Sequence, residues 1–339
     1  MKKNTWTSKT LLMTAAFFLV GTGYAQAGQP LVSTDWVASN LETISNPDQT
    51  EIRLIEVSTR ENYEQGHIPG ATHMQWGAET FDPTTDHMVL SLDQVERIMG
   101  KIAAPPETHI VLYDGDDKTH HVARVYWTLK YWNYDNVSIM DGGMHQWQNQ
   151  QRPVSTDGLD VTPRDIEVTY PPNTAIRAMY SPDITYALAN GRTTLVDSRS
   201  ESFYKGEVYS LDKWVRNGHI SGAINLPTMK SMNQDRTYRT TEELADLYAG
   251  AKITPDDEVI LYCDTGVLAS HAWFVMHELL GHKNVKMYDG SMREYANRFD
   301  TPMVPGIVAE GVPAHPNDQT PAHAAEGEDK GDLARLINN

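Results

Sequence analysis

The chain has 339 residues, with 45 acidic against 28 basic side chains and a formal charge of −17. So acidic a chain repels nucleic-acid phosphate unless its basic residues cluster, and no basic patch is visible, which argues against nucleic acid as a partner. A single cysteine excludes an internal disulfide, and the length allows one large domain or two ordinary ones.

At the N-terminus, Lys2 and Lys3 precede the apolar run LLMTAAFFLVGTGYA, and Ala25-Gln26-Ala27 offers small residues for cleavage before Gly28. A basic start, a short apolar core and a small-residue exit predict a secretory signal peptide over residues 1–27. The apolar core falls short of the ~20 residues that span a bilayer, and no later stretch approaches that length. The expectation is an exported, periplasmic protein with no membrane association after signal cleavage. No cysteine stands near the cleavage point to take a lipid anchor, and there is no Arg pair, so the general export route is implied. Cleavage removes three lysines and no acid, taking the charge from −17 to −20. In an oxidising compartment cysteines usually come in pairs, so a lone thiol asks for an explanation.

Beyond the leader the predicted elements come twice. The segment LIEVSTRENYEQGHIPGATHM (54–74) recurs as LVDSRSESFYKGEVYSLDKWVRNGHISGAINLP (195–227), with about a dozen residues inserted before the second Gly-His-Ile. The segment 109–147, which opens HIVLYDGDDKTHH, recurs as 258–295, which opens EVILYCDTGVLASH. The offset is 152 at Gly66 and Gly218, 149 at Asp114 and Cys263, and 148 at Asp141 and Asp289. A near-constant offset means two copies of one fold. In each copy short β-branched runs (LIEV, HIVLY, VSIMD, then TLVDS, VILYC, VKMYD) alternate with helix-patterned stretches bounded by Gly and Pro, which predicts an α/β fold of parallel sheets covered by helices. The domains are placed at 30–152 and 176–305. Between them, 153–175 carries Pro153, Pro163, Pro171 and Pro172 among polar residues and is read as a linker. The stretch 306–339 is rich in Pro, Ala, Gly and acids and is expected to be a disordered acidic tail.

The thiol lies where the second copy is most regular. EVILYC reads as a strand that ends on Cys263, DTGVL as a short turn around Gly266, and ASHAWFVMHELLGH as a helix with apolar residues at Ala272, Phe274, Val275, Leu279 and Leu280. A cysteine at the carboxyl end of a parallel strand, facing a helix N-terminus, meets converging backbone N–H groups. That placement favours a thiolate, or the anionic outer sulfur of a persulfide, and can draw a thiol pKa down from ~8.5. The competing reading is an inert buried cysteine that fills the strand end. Asp114 at the same place in the first copy shows that the fold does not need a cysteine there for packing.

With these residues in hand, the chain resembles the rhodanese family, in particular the two-domain thiosulfate and mercaptopyruvate sulfurtransferases with an inactive first and an active second domain. The motifs that carry the likeness are LVSTDWVASNL, GHIPGA and GHISGAINLP, DGGMHQW and YDGSMREY, and the loop CDTGVL at a helix start, over about 30–305. The resemblance implies tandem rhodanese-like domains and a sulfurtransferase in which Cys263 is the nucleophile. It would take a sulfane sulfur from a small donor and pass it to a thiol or cyanide in two half-reactions. Amides of 264–268 would stabilise the sulfur anion; Asp264, Thr265, Gly266, Val267 and Leu268, together with Arg199, are the expected substrate-binding set. No organic cofactor and no metal is required, because the cysteine itself carries the group.

Family loops for thiosulfate commonly place Arg or Lys after the cysteine, and mercaptopyruvate loops a glycine; here Asp264 follows. The segment DSRSESFYKGE has Ser202 where mercaptopyruvate enzymes have an Arg, and its length matches the thiosulfate branch. Donor and acceptor stay open. Two further readings stand beside the enzyme: a persulfide or chalcogen carrier with little turnover on small donors, and a non-catalytic interaction or redox-sensing module.

Other residues have structural readings. Arg199 either binds an anionic donor or pairs with Asp197, and Arg60, at the same place in the copy without a thiol, favours the pairing. His67 and His219 are read as turn or cap residues. His120 and His121 with Asp116 and Asp117 lack the spacing of a complete zinc set, and adjacent histidines should point to different sides of a helix. Met276, Met287 and Met292 are read as core or cleft fillers, and Trp127, Trp132 and Trp147 as core and interface packing. Asp114 cannot carry sulfur, so the first domain is expected to serve as scaffold and cleft wall.

Overall fold

The computed structural model describes residues 29–208 and 215–306; the predicted signal peptide and acidic tail lie outside these, apart from Gly306. In chain order the first unit contains β1 (Leu31–Val32), α1 (Thr34–Ser39), α2 (Leu41–Ile44), β2 (Ile52–Ser58), α3 (Arg60–Gln65), β3 (Thr72–Gln75), α4 (Leu92–Lys101), β4 (His109–Asp114), α5 (Thr119–Tyr131), β5 (Val137–Met140) and α6 (Gly143–Asn149). The second contains β6 (Arg177–Ala178), α7 (Thr185–Asn190), β7 (Thr194–Asp197), α8 (Glu201–Tyr204), β8 (Gly218–Ile220), β9 (Ile224–Asn225), α9 (Thr241–Gly250), β10 (Val259–Tyr262), α10 (Val267–Trp273), β11 (Val285–Tyr288), α11 (Ser291–Tyr295) and β12 (Met303–Pro305).

The strand order is β1-β5-β4-β2-β3 in one sheet and β6-β11-β10-β7-β9 in the other, the same permutation, and every pairing is parallel. β12 and β8 pair antiparallel beside the second sheet. All seven residues of β2 and all six of β4 are buried, as expected of strands covered on both faces. Helix starts follow local chemistry. At α4 the Gln94 side chain accepts from the Ser91 N–H at 2.8 Å, and at α9 Thr240 and Glu243 cap one another's amides at 3.0 and 3.3 Å. Val95, Ile98 and Met99 then fall on one buried stripe of α4.

The two units share a core. Val57, Leu112 and Trp127 of the first belong to one apolar cluster with Leu261, Trp273 and Phe274 of the second. The join is α5 against α10 and its π-helical continuation Phe274–Leu279: Tyr126 meets Phe274 edge-on at 4.8 Å, and its hydroxyl donates to Glu278 at 2.7 Å. Large side chains of this kind stabilise by about 1.5–3 kcal/mol each when fully buried. A buried ion cluster lies at the same join. Arg124 Nη1 contacts Asp289 Oδ1 at 2.7 Å, and Asp289 Oδ2 accepts from the Val89 N–H and from Arg177, both at 3.0 Å. Breaking such a pair from one side leaves an uncompensated charge. Met276, Met287 and Met292 are fully buried, as core fillers.

The segment 153–175 forms no regular helix or strand until Thr174, and it is tied to the first unit rather than loose. Arg164 N–H bonds Gly100 O at 3.0 Å, Val168 N–H bonds Glu96 at 2.8 Å, and Asn173 N–H bonds Tyr131 O at 2.7 Å. His67 and His219 occupy equivalent places. Each stacks on a tyrosine, Tyr63 at 3.8 Å and Tyr204 at 3.7 Å, and bonds that tyrosine's carbonyl through Nδ1.

Candidate active site

Cys263 follows the last residue of β10 and is 1% exposed. Gly266 has φ +79°, a left-handed conformation that turns the chain into α10. The turn brings the amides of Thr265, Leu268 and Ala269 into hydrogen bonds with the thiol sulfur. From below, the turn that opens α11 clamps the loop. Cys263 N–H donates to Ser291 Oγ at 3.1 Å, Met292 N–H bonds Cys263 O at 3.0 Å, and Arg293 N–H bonds Asp264 O at 2.9 Å. Ser291 itself has φ +47°, a position that disfavours a side chain, and its hydroxyl also donates to Tyr288 O at 2.8 Å.

The resting thiol departs from the sequence expectation. Burial pushes its pKa above the ordinary value and the Asp264 carboxylate adds to this, while the three amide bonds pull the other way and do not prevail. The sequence shows the helix start and the converging amides. It does not show how little of the sulfur reaches the cleft surface.

Cys263 lies on a cleft of about 820 Å³ between the two units. Asp264, Thr265, Val267 and Leu268 line it with Cys263, so most of the expected set is brought together. Gly266 and Arg199 are not among the lining residues. A Cβ on Gly266 would meet Arg124 Nη1 at 2.9 Å and Asp289 O at 3.1 Å, so glycine is required there for close approach of the units. Arg199, expected as a substrate ligand, is a correction. Its guanidinium is 1% exposed, bonds Asp197 through Nε at 2.9 and 3.1 Å and through Nη2 at 2.6 Å, and bonds Gly218 O at 2.8 Å. It reaches Asp264 Oδ1 only from behind, at 3.4 Å. The pairing reading of Arg199 is the one the geometry supports.

The first unit supplies the opposite wall, and sequence reading missed most of its members. Trp76 stacks on His121 at 3.5 Å with planes 8° apart and meets Phe81 edge-on at 5.2 Å. His120 lines the cleft too, its ring 4.8 Å from that of His121, so the adjacent histidines share one wall instead of facing apart. Burial pushes the His120 pKa down to about 4, and burial lowers that of His121 despite Asp116 at 3.6 Å, so both are neutral at pH 7. Among the described residues no group of three or more His, Cys, Asp or Glu is arranged to hold a metal ion, and no helix is long and apolar enough to cross a membrane. Of this wall only the histidine pair drew notice in the sequence; the residues that form it are dispersed from 76 to 121 and meet only when the first unit folds.

Two parallel-sheet units with a thiol seated under a ring of amides at their junction define the class: an enzyme of the sulfurtransferase kind. The rhodanese-like domain model matches twice, over 33–150 and 181–298, and the chain belongs to the rhodanese family. It is 36% identical over 84% of its length to the sulfur carrier protein TtuD of Thermus thermophilus, covering 99% of that protein. It is 37% identical over 81% of its length to a Haloferax volcanii protein named "Putative thiosulfate sulfurtransferase", covering 96% of it. Among solved structures, EanB in complex with ergothioneine superposes with a TM-score of 0.71 at 24% identity, over 83% of this chain and 71% of that one. The anaerobic ergothioneine biosynthesis enzyme of Chlorobium limicola gives 0.72 at 24% identity, over 82% and 71%. These two likenesses concern the fold.

Proposed function

We propose that the protein is an exported sulfurtransferase that moves a sulfane sulfur from a small anionic donor such as thiosulfate to a thiol or cyanide acceptor, through a persulfide on Cys263. The observation that carries this reading is the position of Sγ beneath the Thr265, Leu268 and Ala269 amides at the floor of an open cleft. In the first half-reaction the Cys263 sulfur gives an electron pair to the outer sulfur of thiosulfate. The S–S bond of the donor breaks, and sulfite leaves with those electrons and takes up the thiol proton. The persulfide places its negative charge one atom further out, where the loop amides act as an oxyanion hole does for oxygen. In the second, an acceptor thiolate attacks the outer sulfur, forms its own persulfide and returns Cys263 as the leaving thiolate. Neutral His120 and His121 line the opposite wall of the cleft.

Steady-state turnover with thiosulfate and a thiol, each varied against the other, tests the reading: parallel double-reciprocal lines that vanish in Cys263→Ser are expected. Intersecting lines, or turnover that survives the substitution, would refute it. The carrier reading has its own support in the raised thiol pKa and in the relative named a sulfur carrier. It predicts a stable Cys263 persulfide with slow release to small thiols. Export is supported by the leader-like residues 1–27 and predicts a mature periplasmic chain that begins at Gly28.

A further inference from the structure

An anionic donor must find a cation in the cleft, and the obvious one is taken. Arg199 is sealed behind the loop by Asp197. Among the described residues, Arg293 is the one Arg or Lys side chain that lines the cleft, against Asp82, Asp86 and Asp264. Its backbone N–H bonds Asp264 O at 2.9 Å, within the turn whose Ser291 holds the Cys263 amide, so its position is set by the nucleophile's own clamp. Its Nε is bonded to Asp86 Oδ2, across the cleft from the other unit, and Asp86 Oδ1 contacts His87 Nδ1 at 2.8 Å.

Asp86 does not reach Arg293 by chance of a loose loop. Val89 N–H bonds buried Asp289 at 3.0 Å, and Arg124 Nη2 bonds His87 O at 3.2 Å. These buried anchors pin the Asp86 loop against the same turn that carries Arg293. Burial works to raise the Asp86 pKa, but the bonds from Arg293 and His87 hold it below the usual carboxylate range, so the carboxylate is charged. At the exposure of these side chains, 57% and 25%, such a pair is weak enough for another anion to displace.

We propose that Arg293 is the residue that recognises the anionic group of the sulfur donor, and that Asp86 of the first unit competes with the donor for it and so sets donor preference. The identity of the ligand as a sulfur donor rests on the sulfur-transfer reading; the anion site itself does not. A multiply charged donor in this cleft must exchange partners with Asp86 and lie near Asp264, so Asp86 raises the concentration at which such donors saturate.

Two readouts keep the site and the function apart. The first is the ratio of Cys263 alkylation rates by iodoacetate, an anion, and iodoacetamide, its neutral counterpart; the second is KM and kcat for thiosulfate. Asp86→Asn should raise the alkylation ratio and lower KM about tenfold, with kcat little changed. Arg293→Gln should lower the ratio and raise KM about tenfold, and Arg293→Lys should restore part of both. Melting curves that match the unsubstituted protein exclude unfolding as the cause. A shifted ratio without persulfide formation from any donor would support the anion site and refute sulfur transfer. Equal behaviour of Asp86→Asn, Arg293→Gln and the unsubstituted protein in both readouts would overturn the proposal.

Discussion

The two halves of the molecule share a scaffold and differ in what they place at one strand end. Both use the same strand permutation, the same tyrosine-histidine stack, and a tyrosine hydroxyl that accepts the next amide, Tyr113 from Ile68 at 3.0 Å and Tyr262 from Ile220 at 3.2 Å. At the end of β4 stands Asp114, buried and bonded by the Thr119 hydroxyl at 3.1 Å. At the end of β10 stands Cys263, bonded by three backbone amides. The turn beneath differs in step with this. Gly143 leaves room for the Asp114 carboxylate, which a Cβ there would meet at 2.7–2.8 Å, while Ser291 fills the equivalent place and holds the Cys263 amide. The sheet thus supplies a position and the loop supplies the chemistry.

Substitutions in the two halves separate the position from the chemistry. The largest effect is expected from a swap: Asp114→Cys in a Cys263→Ser background should leave sulfurtransferase turnover at the background rate, since the first loop does not offer its strand end the three amides. Turnover restored by the swap would mean that a thiol at the strand end suffices. Next, Arg124→Ala leaves Asp289 buried without its closest partner and should cost about 3–5 kcal/mol in urea unfolding; it should also loosen the cleft, because the same cluster joins the two units.

The acid of the first half has a pH signature. Burial raises the Asp114 pKa from 3.8 to about 7. A folded-state pKa above the unfolded one stabilises the fold fully below the unfolded value, and that stabilisation is lost as pH rises through the folded value. Between about pH 4 and 7 it should fall by on the order of 4 kcal/mol, and Asp114→Asn should flatten this slope. The thiol of the second half should show the smaller, kinetic counterpart. With its pKa raised, iodoacetamide labelling of Cys263 should keep accelerating above the pH where an ordinary thiol levels off. Asp264→Asn should bring that midpoint down by removing a carboxylate that opposes the thiolate. An unchanged midpoint would assign the shift to burial alone.

Much of this architecture is legible in the sequence because local signals agree with the fold. β-branched runs at a near-constant offset reveal the duplication, and the run that ends on Cys263 before Gly266 places the thiol at a strand-to-helix turn. What is not legible depends on packing between distant segments. Arg293 and Asp86 lie 207 positions apart and meet only across the cleft. Trp76, just after β3, and His121, in α5, come together only when the first unit folds. The raised thiol pKa follows from burial, which residue types do not display, and Arg199 turns inward because Asp197, two residues before it, captures its guanidinium. His120 and His121 are legible as a pair, but their place on the cleft wall opposite the thiol is not.

The most direct test is the intact mass of the protein after incubation with thiosulfate, and separately with mercaptopyruvate, before and after addition of a thiol. A gain of one sulfur atom is expected that requires Cys263, is absent in Cys263→Ser, and disappears when the thiol is added. No gain with either donor, on protein whose Cys263 still alkylates, would contradict it.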